Sequence, residues 1–211
     1  MRYPSGHREQ THARILRAAA ELFRAQGIAA TGVDRVMARA GLTAGGFYAH
    51  FPSKGALVAS AVDAAAQASR ERWYGRFDEL RGETWARAFV ETYLSEAHRD
   101  DRSGGCILPS LGAEVGHAGR PVRLRFERRL SGMLDFVEAR TRGELSAERP
   151  DVIAAVATCV GGLLLARAVP SPELSTAILR SAEAGAKKLL GLLPERPARR
   201  KPLRGRNGRS A

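Results

Sequence analysis

The sequence is poor in cysteine, in aromatic residues and in acidic residues. Its 211 residues include two cysteines, which lie far apart and therefore argue against a disulfide framework. No apolar run typical of a signal peptide occurs in Met1–Gly6, and we expect a reducing, cytoplasmic location. The most apolar segment, residues 153–169, is short for a membrane span and contains Arg167. We interpret it as a buried helix at an interface.

The shortage of acidic residues gives a net charge of +12, which is unevenly distributed. Residues 1–54 carry +5, residues 55–195 are neutral, and residues 196–211 carry +7 with no acidic residue. This division predicts three regions: a small basic domain (1–54), a larger domain (55–195) and a basic, disordered tail (196–211). Two interpretations of the tail stay open, a loose contact with DNA and a solubilising extension.

Residues 31–54 predict two short helices joined by a tight turn. Thr31 is expected to cap the first helix, which buries Val33, Val36 and Met37, and Gly41 to end it. Thr43 is expected to cap the second helix, whose Phe47 and Phe51 share a face directed to the core. After Pro52, Ser53 caps a further helix that carries Lys54 in its first turn. This pattern is typical of a helix-turn-helix, a DNA-binding motif.

An amphipathic helix is predicted over residues 8–26, before the motif, and it ends at Gly27. Together with residues 31–54 it resembles the N-terminal domain of the TetR family of transcriptional regulators. The shared positions are Ile15-Leu16 through Phe23, Gly27, Thr31, Val33, Ala40-Gly41-Leu42-Thr43, Phe47-Tyr48, His50-Phe51 and Ser53-Lys54. The resemblance covers about a quarter of the chain and implies an all-α protein: a three-helix DNA-binding domain followed by a larger helical domain for ligand binding and dimerisation.

The resemblance also suggests which residues contact double-stranded DNA. Tyr48, His50 and Lys54 are expected to contact phosphates, together with backbone amides near Thr31 and Thr43. Base contacts are expected from Thr43, Ala44, Gly45 and Gly46, where two successive glycines would let the backbone approach the bases closely. Arg35 and Arg39 either reach a guanine or phosphate or belong to a solvated helix face.

Residues 55–193 are predicted to be nearly all helix, with breaks at Gly82, Gly104-Gly105, Gly119–Pro121, Gly143–Pro150 and Pro170–Pro172. Two stripes of large side chains at helical spacing suggest either core or the wall of a ligand cavity. The candidate ligand-binding residues are Trp85, Phe89, Tyr93, Cys106, Phe126 and Met133.

The last two predicted helices, residues 151–169 and the helix opened by Ser171-Pro172-Glu173, contain many small and aliphatic side chains. The family resemblance implies that they pair with a second subunit in a four-helix bundle; the alternative is that they close the core of the monomer. The candidate interface residues are Val156, Val160, Leu163, Leu164, Ile178, Ala182 and Leu189.

Cys106 follows Gly104-Gly105 near the start of a predicted helix, with Arg102 close in sequence. A helix N-terminus and a nearby cation favour a reactive thiolate. The segment Gly105–Glu114 also resembles one in TetR-like regulators that respond to electrophiles or oxidants. Cys106 is thus either a thiol sensor or a small buried hydrophobe, whereas Cys159 is expected to be structural.

These patterns lead to one main functional hypothesis. The protein is expected to be a homodimeric repressor that binds a palindromic operator and is released by a small molecule or a thiol-reactive signal. The alternatives are a ligand-independent DNA-binding scaffold and an enzyme, although the scattered histidines form no metal or catalytic spacing. No cofactor or metal is expected.

Overall fold

The computed structural model describes residues 5–192, and the predicted basic tail, residues 196–211, lies outside them. The described part of the chain is all-α, as predicted. Its helices are α1 (Ser5–Gln26), α2 (Val33–Arg39), α3 (Lys54–Tyr74), α4 (Gly82–Tyr93), α5 (Glu96–Asp100), α6 (Ile107–Gly116), α7 (Arg120–Thr141), α8 (Arg149–Ala168) and α9 (Pro172–Leu189). Short 3₁₀ helices occupy Ala44–Ala49 and Gly75–Phe77.

The helix boundaries follow the predicted breaks because proline and glycine act locally. Pro121 and Pro150 lie in the first turns of α7 and α8, where a missing amide hydrogen leaves no bond unmade. Gly82 starts α4 with φ +56°, which other residues rarely adopt. The break between α4 and α5 was not predicted, since it contains no glycine or proline. There Ser95 caps α5 by accepting a hydrogen bond from the His98 amide.

The core runs continuously from the N-terminal domain into the second one. Helix α3 begins at the predicted boundary; Leu57 and Val62 are among its buried residues, and its C-terminal residue Tyr74 packs against Phe89 of α4 at a ring distance of 5.2 Å. Because α3 packs against both α1 and α7, the boundary between residues 54 and 55 stays a prediction.

Helices α8 and α9 form the most extensive helix pair of the fold. A Cβ atom at Gly162 would lie 2.4 Å from the Cβ of Ala182, so the glycine is needed for the two helices to approach each other. Helix α8 is long and apolar enough to cross a membrane, yet Val152, Cys159 and other residues of one face are buried within the fold. Its apolar composition therefore matches that of a core helix.

Part of the predicted dimer interface is instead core of the protomer. Val156 and Leu163 are 2% and 0% exposed, and Ala182 faces Gly162 within the same chain. A buried side chain has no surface left for a partner, so this part of the prediction is wrong. The residues of α8 and α9 that do expose large apolar side chains are Ile153, Leu164, Leu165 and Leu174. Val160, Ile178 and Leu189 are half-buried beside them.

Candidate nucleic-acid interface and internal cavity

The first helix of the helix-turn-helix begins two residues later than predicted. Helix α2 starts at Val33, and its N-cap is Gly32, which has no side chain to cap the helix. Thr31 is fully buried, and its hydroxyl donates to the carbonyl of Gly27 at 2.7 Å. The predicted helix cap at Thr31 is wrong, and the buried side chain presents no hydroxyl to a phosphate.

The turn of the motif is formed as its sequence predicts. Gly41 has φ +69°, and its amide donates to the carbonyl of Ala38 at 3.0 Å, which ends α2. The Leu42 amide then donates to the carbonyl of Met37 at 2.9 Å. Thr43 occupies the N-cap position of the following helix, but its side chain makes no capping hydrogen bond.

The second helix of the motif is a 3₁₀ helix, Ala44–Ala49, anchored by phenylalanines. Phe47 and Phe51 are buried and stack with ring centroids 5.9 Å apart, as predicted. Tyr48, in contrast, is 76% exposed. The helix therefore turns one side to the core and presents Thr43, Ala44, Gly45 and Tyr48 to solvent.

The protein fold itself does not require the glycine pair. Neither Gly45 nor Gly46 has a positive φ. A Cβ atom at Gly45 would meet nothing within 4 Å, and one at Gly46 would be 3.7 Å from the Met37 methyl group. If this face requires glycine, the reason must therefore be a contact with something other than the described residues.

The predicted basic contacts differ in exposure and pairing. Arg35 is exposed, and Arg39 pairs with Glu21 at 2.9 Å. Ser53 caps α3 by accepting from the Ala56 amide, which places half-buried Lys54 in the first turn. Desolvation, with His12 and Arg8 nearby, lowers the pKa of His50.

A cavity of about 250 Å³ lies in the second domain between α3, α4, α6 and α7. Of the predicted ligand-binding residues, Phe89, Cys106 and Met133 line it. Trp85 and Tyr93 are fully buried behind the wall, where Trp85 stacks on Phe89 at 5.0 Å. Phe126 lies in a separate open groove on α7. Sequence spacing identified the correct helices but not which side chains reach the cavity.

The environment of Cys106 favours the second of its two alternatives, a small buried hydrophobe, over a reactive thiolate. It is 7% exposed, and desolvation raises the pKa of its thiol. The Tyr93 hydroxyl, close to the sulfur although without hydrogen-bond geometry, opposes that rise only in part. The cations that also oppose the rise are Arg167 and Arg24 instead of Arg102, whose side chain donates to the carbonyl of Arg167 at 2.8 Å. Burial also raises the pKa of Cys159, to about 12, in keeping with a structural role.

His98 holds the loop before α6 in place. Its Nδ1 lies 2.8 Å from the carbonyl of Tyr93, and its Nε2 accepts from the Cys106 amide at 3.0 Å. An accepting Nε2 requires the neutral ring with its proton on Nδ1. Burial accordingly lowers the pKa of His98 to about 4.

Helix α6 connects the cavity to the DNA-binding domain. At its start, Cys106, Ile107 and Leu108 line the cavity. Near its end, the Glu114 carboxylate accepts from the backbone amides of Ile28 and Ala29 at 3.0 and 2.7 Å. These two amides lie in the loop that follows α1, so α6 contacts both the cavity and the first helix's exit from the DNA-binding domain. Sequence analysis did not identify Glu114 as a functional residue.

Comparisons with known proteins agree with this architecture. Residues 15–61 match the family described as bacterial regulatory proteins, tetR family. No curated protein matches the chain significantly.

Solved structures extend the similarity over both domains. A TetR transcriptional regulator from Chloroflexus aurantiacus J-10-FL is 27% identical with a TM-score of 0.72, covering 86% of this chain and 94% of the other. Reduced NemR from E. coli is 19% identical with a TM-score of 0.70, covering 85% and 97%. SCO4454, a TetR-family regulator from Streptomyces coelicolor, is 22% identical with a TM-score of 0.66, covering 86% and 95%. The matched N-terminal segment and the shared fold together support a DNA-binding transcriptional regulator of the TetR type.

Proposed function

We propose that the protein is a homodimeric repressor that binds a palindromic operator and is released when a small molecule enters the cavity. The observation that carries this proposal is the position of α6, which lines the cavity at Cys106–Leu108 and holds the DNA-binding domain through Glu114. A ligand that displaces the start of α6 would move its end, and with it the anchor of α1. The proposed location is the cytoplasm.

Dimerisation is supported by an apolar surface on the last two helices. Leu165 and Leu174 are 53% and 51% exposed, and Ile153 and Leu164 of the same helix pair are exposed as well. Four large apolar side chains on one helix pair favour a partner surface. A second copy of the same helices would cover them, and the two-fold axis would then place two helix-turn-helix motifs against one palindrome.

The exposed face of the 3₁₀ helix is the proposed base-contacting surface. Thr43 and Ala44 would contact thymine methyl groups, and Gly45 and Gly46 would allow the backbone to approach the bases. Arg35 and Arg39, both exposed on α2, would add contacts to a guanine or a phosphate, although Arg39 would first have to leave Glu21.

Phosphate contacts would flank that face and set its orientation on the duplex. We assign them to Tyr48, Lys54 and His50, with the backbone amide of Thr43. Such contacts position the domain without reading sequence.

Release would follow from a shift between two populations of the dimer. One population holds the two DNA-binding domains at the operator spacing and the other does not. A ligand releases DNA only if it binds the second population more tightly, since equal affinity for both shifts nothing. The cavity favours a reversible ligand over thiol chemistry, because a buried, protonated Cys106 is a poor nucleophile.

Selection of bound DNA from a random pool with the purified full chain tests the proposal. We expect enrichment of a two-fold symmetric site and, by sedimentation with the enriched duplex, two protein copies bound to it. Enrichment of a site without symmetry would contradict the dimeric mode. Binding without any enrichment would instead support the ligand-independent scaffold.

A further inference from the structure

The cavity in the second domain has an apolar interior and a positively charged rim. Phe89, Leu108, Met133 and Phe136 supply the apolar wall. The charged side chains among its lining residues are Arg70, Arg128 and Arg129, and no carboxylate lines it. This charge pattern disfavours a cationic ligand and favours an anionic one.

The three arginines differ in how far their charges are already neutralised. Arg129 donates to the Asp63 carboxylate at 2.6 Å. Arg70 lies over the Phe136 ring at 4.7 Å and is 3.7 Å from Asp78, which also pairs with Arg140 at 3.2 Å. Arg128 is exposed and has no hydrogen bond or ion pair with any residue in 5–192. Arg128, supported by Arg70, is therefore the available cation at the rim.

One polar group inside the cavity also lacks a partner. Tyr74 lines the cavity and is 7% exposed, and its hydroxyl makes no hydrogen bond within the described residues. Desolvation raises the pKa of this hydroxyl well above its ordinary value, so it stays a neutral donor. A buried donor without an acceptor is unfavourable, and an oxygen of a bound molecule would satisfy it.

We infer that this cavity binds a small carboxylate with an apolar body, whose carboxylate pairs with Arg128 and Arg70 while the body packs on Phe89, Met133 and Phe136. The inference rests on the proposed effector role of the cavity and adds the chemical class of the effector. A volume of about 250 Å³ lies just below the range of about 300–1,000 Å³ usual for drug-sized ligands, so the body is small. The planar guanidinium fork of arginine matches a carboxylate in two parallel hydrogen bonds.

The test compares two probes that share one apolar body, 4-phenylbutyrate and 4-phenylbutan-1-ol, by calorimetric titration of the full chain. We expect the carboxylate to bind at least tenfold more tightly than the alcohol. Arg128→Ala should weaken 4-phenylbutyrate binding about fivefold to tenfold, and Arg128→Glu should weaken it further, because a charge-assisted hydrogen bond is lost. Both substitutions lie at an exposed position and should fold normally.

Arg123→Ala provides the matched control, since Arg123 is exposed on the same helix but does not line the cavity. It should change the affinity less than twofold. Tyr74→Phe removes only the hydroxyl and reports whether the ligand offers it an acceptor.

Equal binding of alcohol and carboxylate, or an Arg128→Ala variant that binds like Arg123→Ala, would overturn the inference. Absence of 4-phenylbutyrate binding at millimolar concentration would overturn it as well. None of these results changes the conclusion on operator binding, because operator binding is measured without ligand. A protein that selects a symmetric operator but ignores the carboxylate would keep the proposed function and lose only the effector class.

Discussion

The hydrogen bonds from Ile28 and Ala29 to Glu114 are the contact whose removal tests the coupling most directly. Both carboxylate oxygens accept a backbone amide, at 3.0 and 2.7 Å, across 86 and 85 residues of sequence. Gly27 permits the approach: it has φ +87°, and a Cβ there would lie 2.4 Å from a Glu114 oxygen. Glu114→Ala deletes both bonds, whereas Glu114→Gln keeps one acceptor and loses the charge.

The size of the effect follows from the environment of the two bonds. Hydrogen bonds to charged groups contribute about 1.5–3 kcal/mol each when well formed. The bond to Ala29 is exposed and the bond to Ile28 is partly buried, so water replaces part of what is lost. We therefore expect Glu114→Ala to lower the free energy of unfolding by about 2 kcal/mol and Glu114→Gln by about half as much.

Urea unfolding measures this loss, and amide hydrogen exchange locates it. In Glu114→Ala, the Ile28 and Ala29 amides should exchange faster than in the wild type, and operator affinity should fall because α1 has lost its anchor. Glu127→Ala, an exposed change on α7, is the control and should stay within about 0.5 kcal/mol of the wild type. Unchanged exchange at Ile28 and Ala29 together with unchanged operator affinity would refute the coupling through α6.

Four further predictions concern the other sites. Gly45→Ala should stabilise the fold slightly, by up to about 0.5–1 kcal/mol. It should nevertheless weaken operator binding at least tenfold in a mobility-shift titration, and unaltered affinity would mean that DNA binding does not need this glycine. Leu165→Glu should sediment as a monomer at micromolar concentration, because it puts a charge where the partner subunit would bury an apolar side chain. A dimer that persists in this variant would mean that the interface lies elsewhere. Burial lowers the pKa of His98 from 6.5 to about 4, so the unfolded chain binds a proton at this residue more readily than the folded chain does. The free energy of unfolding should therefore be unaffected above pH 6.5 and fall by up to about 3 kcal/mol as the pH drops to 4. Urea unfolding should show a smaller loss over this range in His98→Gln. Native protein at pH 7 should react with iodoacetamide at Cys106 far more slowly than urea-unfolded protein, and rapid native alkylation would revive the thiol-sensor hypothesis.

Local sequence was sufficient for the DNA-binding motif, because its signals act over a few residues. Gly41 ends α2 through its own backbone angle, and Phe47 and Phe51 share a face because of helical spacing. The predicted cap at Thr31 was wrong because two local hydrogen bonds competed for its hydroxyl. Its hydroxyl found a carbonyl acceptor four residues back, at Gly27, and the helix started later.

Residues with the same sequence pattern can lie in the core or at the surface, and tertiary structure decided which of them do which. Periodicity marked α8 as apolar on several sides, but only its packing on α9 shows that Val156 and Leu163 are core while Leu164 and Leu165 are free. Likewise, the sequence left Cys106 open between a thiol sensor and a buried hydrophobe, and its burial, which raises the pKa of the thiol, favours the second. The contacts of Glu114 join residues more than eighty positions apart. Sequence by itself determined the helix ends that glycine and proline mark, such as those at Gly41 and Pro150, because these signals act on neighbouring residues. The cavity, the pKa values and the connection between the domains depend on which distant surfaces meet, and only the folded chain brings those together.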